Sequence, residues 1–346
     1  MMQENAFFYV FPFLYSVCIS VIVCFGCIVL YKKMRLYDHR NSQRHIHKKN
    51  ISRFGGLAIV TAFIVSLCTN TALVFTDALW AITIGSVLIL IFGIIDDLWP
   101  MNWQSQLFFQ VMLVLITFIC GVQITYITNP FGGILWLVTD NMPFFSILFM
   151  MVWMIFVMNA INWCDGIDGL AGGVIFIAAI TLFIISLEPQ VMQPPIAIIA
   201  IILAGSVLGF LFYNFPCANI FAGTSGSFFM GYVVAVLAIV AGAKIGTTLL
   251  VLAIPLIDAV WVIFDRFRRG QSIFHGDKEH LHHRLLDIGW SVPKVLFLYY
   301  GVTIFCAFAA IMTQSLNKFL IFIFLSFGII LFFTILSYER KTAKCV

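Results

Sequence analysis

Apolar runs of roughly twenty residues recur along this chain, and each is closed by a short polar break. Eleven such runs are visible, at 7–30, 56–75, 78–95, 106–127, 144–161, 169–187, 195–213, 227–243, 246–264, 295–313 and 318–337. Runs of that length with few charges are long enough to cross a bilayer as helices. The first is too long for a signal-peptide core and lacks a small-residue cleavage site, so it is expected to be retained. No connection is long enough to hold a separate soluble module. The expected fold is therefore an all-α integral membrane protein, a bundle of about eleven transmembrane helices forming one polytopic domain over residues 1–346. The stretches "TNPFGG" at 128–133 and "EPQVMQPP" at 188–195 read as turns.

Composition strengthens this reading. Hydrophobic residues make up 62% of the chain and charged residues 10%, where soluble domains carry about 25% charged residues. The mean hydropathy is +1.06. Nine cysteines are scattered, mostly inside the apolar runs. Cys24 and Cys27 form a C-x-x-C spacing with no further ligand nearby, which reads as buried thiols.

Basic residues set the expected orientation. With the N-terminus outside and every run crossing, the segments 31–55, 265–294 and 338–346 lie on the inner side. They hold eight, six and three of the 19 Lys and Arg residues. Only Lys244 and Lys318 then face outward. Such basic inner loops suit contact with anionic lipid. Nothing in the chain offers a platform for nucleic acid.

On the same map, acidic residues collect at the inner ends of helices. Asp96 and Asp97 close the third run, Asp165 and Asp168 follow the fifth, and Asp258 and Asp265 lie near the end of the ninth. Asp277 and Glu279 flank His280, His282 and His283 in "HGDKEHLHHRLLDIGW". Carboxylates near membrane depth are costly and point to function. Clustered acids repel unless a cation sits among them, and oxygen ligands favour Mg²⁺, Ca²⁺ or Mn²⁺ over zinc. Asn162, Asp165 and Asp168 are three apart, so one helical turn would hold them near one face. Gly166 and Gly169 leave room for a ligand to approach the backbone. Histidines and arginines in the neighbouring inner loop, among them Arg266 and Arg269, add donors for phosphate oxygens. Acids around a cation plus basic donors suggest phosphoryl transfer, and the bundle implies that one substrate is a lipid. A transporter would place its charges at the bilayer midplane and often show internal repeats; here they cluster at one face and no repeat is visible.

These residues carry a resemblance. "SRFGGLAI" at 52–59, "GIIDDL" at 93–98, "NAINWCDGIDGLAGG" at 159–173, "FAGTSGSFFMG" at 221–231, "PLIDAVWVIFDRFRRGQSIF" at 255–274 and "DKEHLHHRLLDIG" at 277–289 resemble the polyprenyl-phosphate N-acetylhexosamine-1-phosphate transferases. The H-L-H-H form looks more like the branch using UDP-N-acetylglucosamine than the muramoyl-pentapeptide branch. The resemblance implies that polyprenyl phosphate, expected to be undecaprenyl phosphate, attacks the β-phosphate of a UDP-N-acetylhexosamine. UMP leaves and a polyprenyl-diphospho-sugar forms, the first membrane step of a bacterial cell-envelope polysaccharide. The site is implied to be cytoplasmic, in a multi-pass protein of the bacterial inner membrane, with Mg²⁺ as cofactor and Mn²⁺ as a substitute. A homodimer is allowed but not required. By position, Asp96 would deprotonate or orient the lipid phosphate with Asp97 beside it. Asn162, Asp165 and Asp168 would line the nucleotide and metal site. His280, His282 and His283 would contact phosphate or sugar, and His47 and Arg53 would lie near the lipid phosphate. Asp258, Arg266 and Arg269 are the further substrate-binding candidates.

The resemblance breaks at one motif. The family's Gly-Asp-x-Gly-Ser, whose Asp is a metal ligand, reads Gly223-Thr224-Ser225-Gly226-Ser227 here. Thr224 stands where that carboxylate belongs, so a covalent role for it is unavailable and direct attack by the lipid phosphate remains. Gln104 replaces a usual Lys, and Asn50 and Ser52 replace usual prolines. Three readings fit: Asp258 or Asp265 supplies the missing oxygen, the enzyme is slow or altered in substrate, or the chain is a non-catalytic relative that still binds nucleotide-sugar or lipid. The joint persistence of the aspartates and histidines favours an active transferase.

Overall fold

The computed structural model describes residues 2–33, 51–138, 143–189, 191–242, 244–272, 279–313 and 315–343. Among them are thirteen helices and one two-stranded hairpin. In order they are α1 (Met2–Lys33), α2 (Gly55–Cys68), α3 (Asp77–Leu98), α4 (Trp103–Ile119), β1 (Tyr126–Thr128), β2 (Ile134–Trp136), α5 (Phe144–Cys164), α6 (Leu170–Ser186) and α7 (Pro194–Asn214). They continue with α8 (Gly223–Val240), α9 (Ile245–Val251), α10 (Ala253–Arg268), α11 (Leu281–Asp287), α12 (Val292–Met312) and α13 (Ser315–Ala343).

Seven helices are long and apolar enough to cross a membrane, the bent pair α9–α10 makes an eighth span if counted as one, and α2, α4 and α6 are shorter apolar helices. The protein is thus an all-α integral membrane protein. Each apolar run read from the sequence coincides with one of these elements, but three differ in extent. The 56–75 run leaves the helix at Cys68, because Thr69 and Asn70 turn the chain and the Asn70 side chain accepts from Ala72 N. The 106–127 run ends at Ile119, where Gly121 at φ +84° lets Val122 N reach back to Thr117 O. The 246–264 run is broken by 81° between α9 and α10. Pro255 lies in the first turn of α10, where it cannot donate and its ring crowds the preceding turn. The 128–133 turn is the connection of the β1–β2 hairpin, with Thr128 opposite Ile134.

α8 is the centre of the bundle, packed against α2, α3, α5, α6, α7 and α9. α13 lies at the edge, and among its described apolar side chains only Phe333 is buried. Several polar groups within the bundle find partners across helices, as a medium without water favours. Trp153 Nε1 donates to Ala235 O, Tyr232 OH to Ala81 O, and the Gln110 and Asn159 amides bond reciprocally at 3.3 and 2.8 Å. Close helix approach depends on small residues at the contact. A Cβ on Gly93 of α3 would lie 2.2 Å from Ser225 Cα, so α3 and α8 meet backbone to backbone beside the aspartate pair.

Candidate active site

One end of the bundle gathers helix ends of alternating direction: the C-termini of α3, α5, α7 and α10 and the N-termini of α2, α4, α6, α8 and α11. The entry to α8 organises them. Residues 52–56 run parallel to 220–222: Phe221 N donates to Ser52 O, Gly55 N to Phe221 O and Gly56 N to Ala222 O, all at 2.8–2.9 Å. The chain then turns into α8 through Gly223 at φ +70°, where a Cβ would sit 2.5 Å from Asp97 Oδ2. Glycine is therefore required on both counts.

Asp97 serves as the cap of α8 from another helix. Its carboxylate accepts from Thr224 N at 2.9 Å, Ser225 N at 3.3 Å and Ser225 Oγ at 3.0 Å. An anion at a helix N-terminus is favoured by the unpaired N–H groups and the helix dipole. Asp96, buried, accepts from Met101 N at 2.8 Å and Gln106 Nε2 at 3.1 Å on one oxygen. Its other oxygen accepts from Thr224 Oγ1 at 2.6 Å. Thr224 thus bonds both aspartates, one through its backbone and one through its hydroxyl.

α5 brings the second cluster. Asn162 Oδ1 accepts from Ser227 Oγ at 2.8 Å, one turn into α8. The helical turn expected over 162–168 does not form, because α5 ends at Cys164 and the chain unwinds through 165–169. Gly169 at φ +80° reverses it into α6. Two distant residues pin that loop: Asn214 Oδ1 accepts from Gly169 N, and Tyr300 OH donates to Gly169 O at 2.6 Å. The two acids consequently part. Asp168, buried, accepts from Ala218 N at 3.0 Å and braces the α7–α8 connection. Asp165, half-buried, lies within the field of Asp97, Asp168 and Arg53. Burial first, then the negative Asp97 and Asp168, push its carboxyl well above the ordinary range, while Arg53 opposes the shift.

The histidines arrive on α11. Asp258 of α10 accepts from Leu281 N at 2.9 Å and pairs with His280 Nδ1 at 3.0 Å, which places the neutral ring's proton on Nδ1. The His280 ring lies 5.6 Å from that of Trp163 and 6.0 Å from that of His282. His282 is fully buried against the 165–169 loop, where a Cβ on Gly166 would meet its Nε2 at 2.2 Å. Burial, with His283 and His280 beside it, lowers its pKa well below the usual value, so the imidazole is neutral at neutral pH. His283 is half-buried, its ring 4.2 Å from that of His282.

The structure therefore joins Asp96, Asp97, Thr224, Asn162, Asp165, His280, His282 and His283 into one continuous set. Arg53 belongs to it through Asp165. His47 lies outside the described residues. Arg266 is buried in α10, and Arg269 is ion-paired with Asp265. Asp265 is bound by Arg268, Arg269 and Arg284, and Asp258 holds the start of α11, so neither is available as a free carboxylate replacing the family's ligand at Thr224. Among the described residues no group of three His, Cys, Asp or Glu could hold a metal ion by itself. Mg²⁺, which usually takes only one or two carboxylates and completes its shell with water and phosphate, does not need one. Sequence reasoning missed Ser225, Ser227, Gln106, Asn214 and Tyr300. Ser225 and Ser227 lay inside a quoted motif; Gln106 lay outside every one, and Asn214 and Tyr300 carried no signal because each acts on a residue far along the chain.

The family described as glycosyl transferase family 4 matches residues 79–242. A probable undecaprenyl-phosphate N-acetylglucosaminyl 1-phosphate transferase of Bacillus subtilis is 29% identical over 299 residues, 83% of this chain and 81% of that protein. A decaprenyl-phosphate N-acetylglucosaminephosphotransferase of Mycobacterium leprae is 33% identical over 305 residues, 80% of this chain and 76% of that one. A phospho-N-acetylmuramoyl-pentapeptide-transferase of Caldicellulosiruptor bescii is 30% identical over 283 residues, 78% of this chain and 85% of that one.

Proposed function

The chain belongs to glycosyl transferase family 4, as a polyprenyl-phosphate hexosamine-1-phosphate transferase, and on that premise we propose that its donor is a UDP-N-acetylhexosamine, most simply UDP-N-acetylglucosamine, and its acceptor undecaprenyl phosphate. It is a membrane phosphotransferase that moves a sugar phosphate to a polyprenyl phosphate. In the proposed reaction an oxygen of the lipid phosphate attacks the β-phosphorus of the nucleotide sugar. The bond from that phosphorus to the bridging oxygen breaks, UMP leaves with the electron pair, and a polyprenyl-diphospho-sugar forms. Phosphoryl transfer of this kind relies on positioning and charge neutralisation.

The observation that carries this reading is the single connected set running from Asp96 through Thr224 and Asn162 to His282. Asp96, fixed by donors on both oxygens, orients the lipid phosphate. Asn162 lines the nucleotide pocket, and the half-buried His283 donates to phosphate or sugar oxygens, with the buried His280 and His282 packed behind it. Arg53 adds positive charge at the same place. The residues fit Mg²⁺: the carboxylates offer oxygen ligands, and Asp165 is a half-buried acid with two negative neighbours, which a cation would relieve. Asp165 would offer the ion a carboxylate, and the ion would supply charge neutralisation of the diphosphate. Thr224 contributes a hydroxyl where the family has a carboxylate, so this chain would bind the ion more weakly.

We place all eleven apolar elements across the bacterial cell membrane as one domain, with the N-terminus outside and the site on the cytoplasmic side, as the Lys and Arg asymmetry favours. The product would open the synthesis of a cell-envelope polysaccharide. The test is purified protein with radiolabelled UDP-N-acetylglucosamine, undecaprenyl phosphate and Mg²⁺. Label is expected to move into the lipid phase with release of UMP. Nucleotide-sugar binding without transfer would overturn the catalytic reading and leave a binding-only relative.

A further inference from the structure

The turn that carries the histidines is short, and its hold on the bundle comes from two acids on one face of α10. Asp258 binds His280 and Leu281 N, and Asp265, two turns further along, binds Arg284 at 3.5 Å. Arg284 is 3% exposed, the last basic residue of α11. Its Nε donates to Glu279 O at 2.6 Å and its Nη2 lies 2.9 Å from Glu279 Oε2. Its guanidinium carbon sits 5.4 Å over the ring of Phe333, a fully buried residue of α13 that also stacks on Trp261 of α10. Arg268 and Arg269 close the network around Asp265. A buried guanidinium must be paired, and Arg holds a fixed fork that Lys lacks.

We propose that Arg284 is a positioning residue for the transfer reaction: it clamps Glu279, the residue immediately before His280, onto Asp265 of α10 and Phe333 of α13, and so sets where the histidine turn stands against the 165–169 loop. The bonds described run to the turn itself and to α10, so removing them loosens the turn first. Asp258 and Asp265 then serve α11, not substrate. Misplacing a catalytic group by about an ångström can cost on the order of a hundredfold in rate. The inference rests on the reading that the histidines act in transfer, and one readout is chosen to be independent of it.

The experiment compares full-length wild type, Arg284→Met and Arg284→Lys in detergent or nanodiscs. Turnover and KM are measured, and diethyl pyrocarbonate acylation of each histidine is followed by mass spectrometry. In wild type His282 is expected to be protected. Arg284→Met is expected to lower kcat about ten- to a hundredfold, leave KM for polyprenyl phosphate within about twofold, and expose His282 to acylation. Arg284→Lys is expected to recover part of both. Should Arg284→Met fail to assemble, Asp265→Asn and Glu279→Gln each remove one anchor and are expected to raise His282 labelling by a smaller amount. Unchanged labelling in these variants, or normal turnover in Arg284→Met, overturns the proposal. Labelling that responds in a protein showing no transfer keeps the clamp and overturns the catalytic reading instead.

Discussion

Asp96 and Asp97 at the end of α3 receive hydrogen bonds from neutral groups, namely backbone amides, hydroxyls and the Gln106 amide, whereas Asp258 and Asp265 on α10 are met by an imidazole and three guanidinium groups as well as one amide. A neutral donor fixes a carboxylate without cancelling its charge, while a cationic partner does both. The hydrogen bonds described for the first pair leave its charge uncancelled at the place where α8 begins, and the field of Asp97 is felt at Asp165. In the second pair Asp265 is met by guanidinium groups, and both acids hold α11 in place. Two acid pairs that look alike along the sequence thus divide between chemistry and positioning.

Removing charge from the first pair should have the largest effect. Asp97→Asn keeps the size of the side chain but can no longer accept from both Thr224 N and Ser225 on a charged group. A fall in kcat of about 10²–10³ is expected, with loss of about 1 kcal/mol in stability from the weakened helix cap. Initial rates and thermal unfolding together check it; near-normal turnover would move Asp97 into the same class as Asp265. Gly166→Ala probes the seam between the two regions. Its Cβ would run into His282 Nε2, so the ring or the loop must shift. A loss of about ten- to a hundredfold is expected, read as a fall in kcat larger than any rise in KM for the nucleotide sugar. Equal activity would mean that His282 need not lie against that loop. The smallest effects belong to Thr224. Thr224→Ser keeps the donor to Asp96 and should be close to wild type, while Thr224→Val leaves Asp96 one donor short, worth about 1–2 kcal/mol or roughly a tenfold loss. Thr224→Asp should raise turnover as Mg²⁺ is raised; no change would show that another group has taken the ligand's place.

Much of the site was legible because each polar cluster stands out against apolar surroundings. "GIIDDL", "NWCDGIDG" and "HLHH" are conspicuous in a chain that is 62% hydrophobic. What was not legible is the partner of each acid. Asn162, Asp165 and Asp168 have helical spacing, yet the Gly169 reversal and the pull of Ala218 N on Asp168 unwind that stretch. Asp265 was considered as a spare metal ligand, and nothing local revealed that Arg284 would reach it. A break just before Pro255 could have been anticipated from proline alone, but its 81° angle could not.

The apolar runs of the chain settled by themselves that it is helical and lives in a bilayer, since lipid leaves the backbone only helices or closed barrels and runs of about twenty residues suit helices. They also settled where polar chemistry could stand, at the ends of those helices. Only the folded bundle decided which donors each carboxylate meets. Those pairings join residues as far apart as Asp96 and Thr224, 128 positions along the chain, and long-range contacts of that kind follow from packing rather than from any local preference.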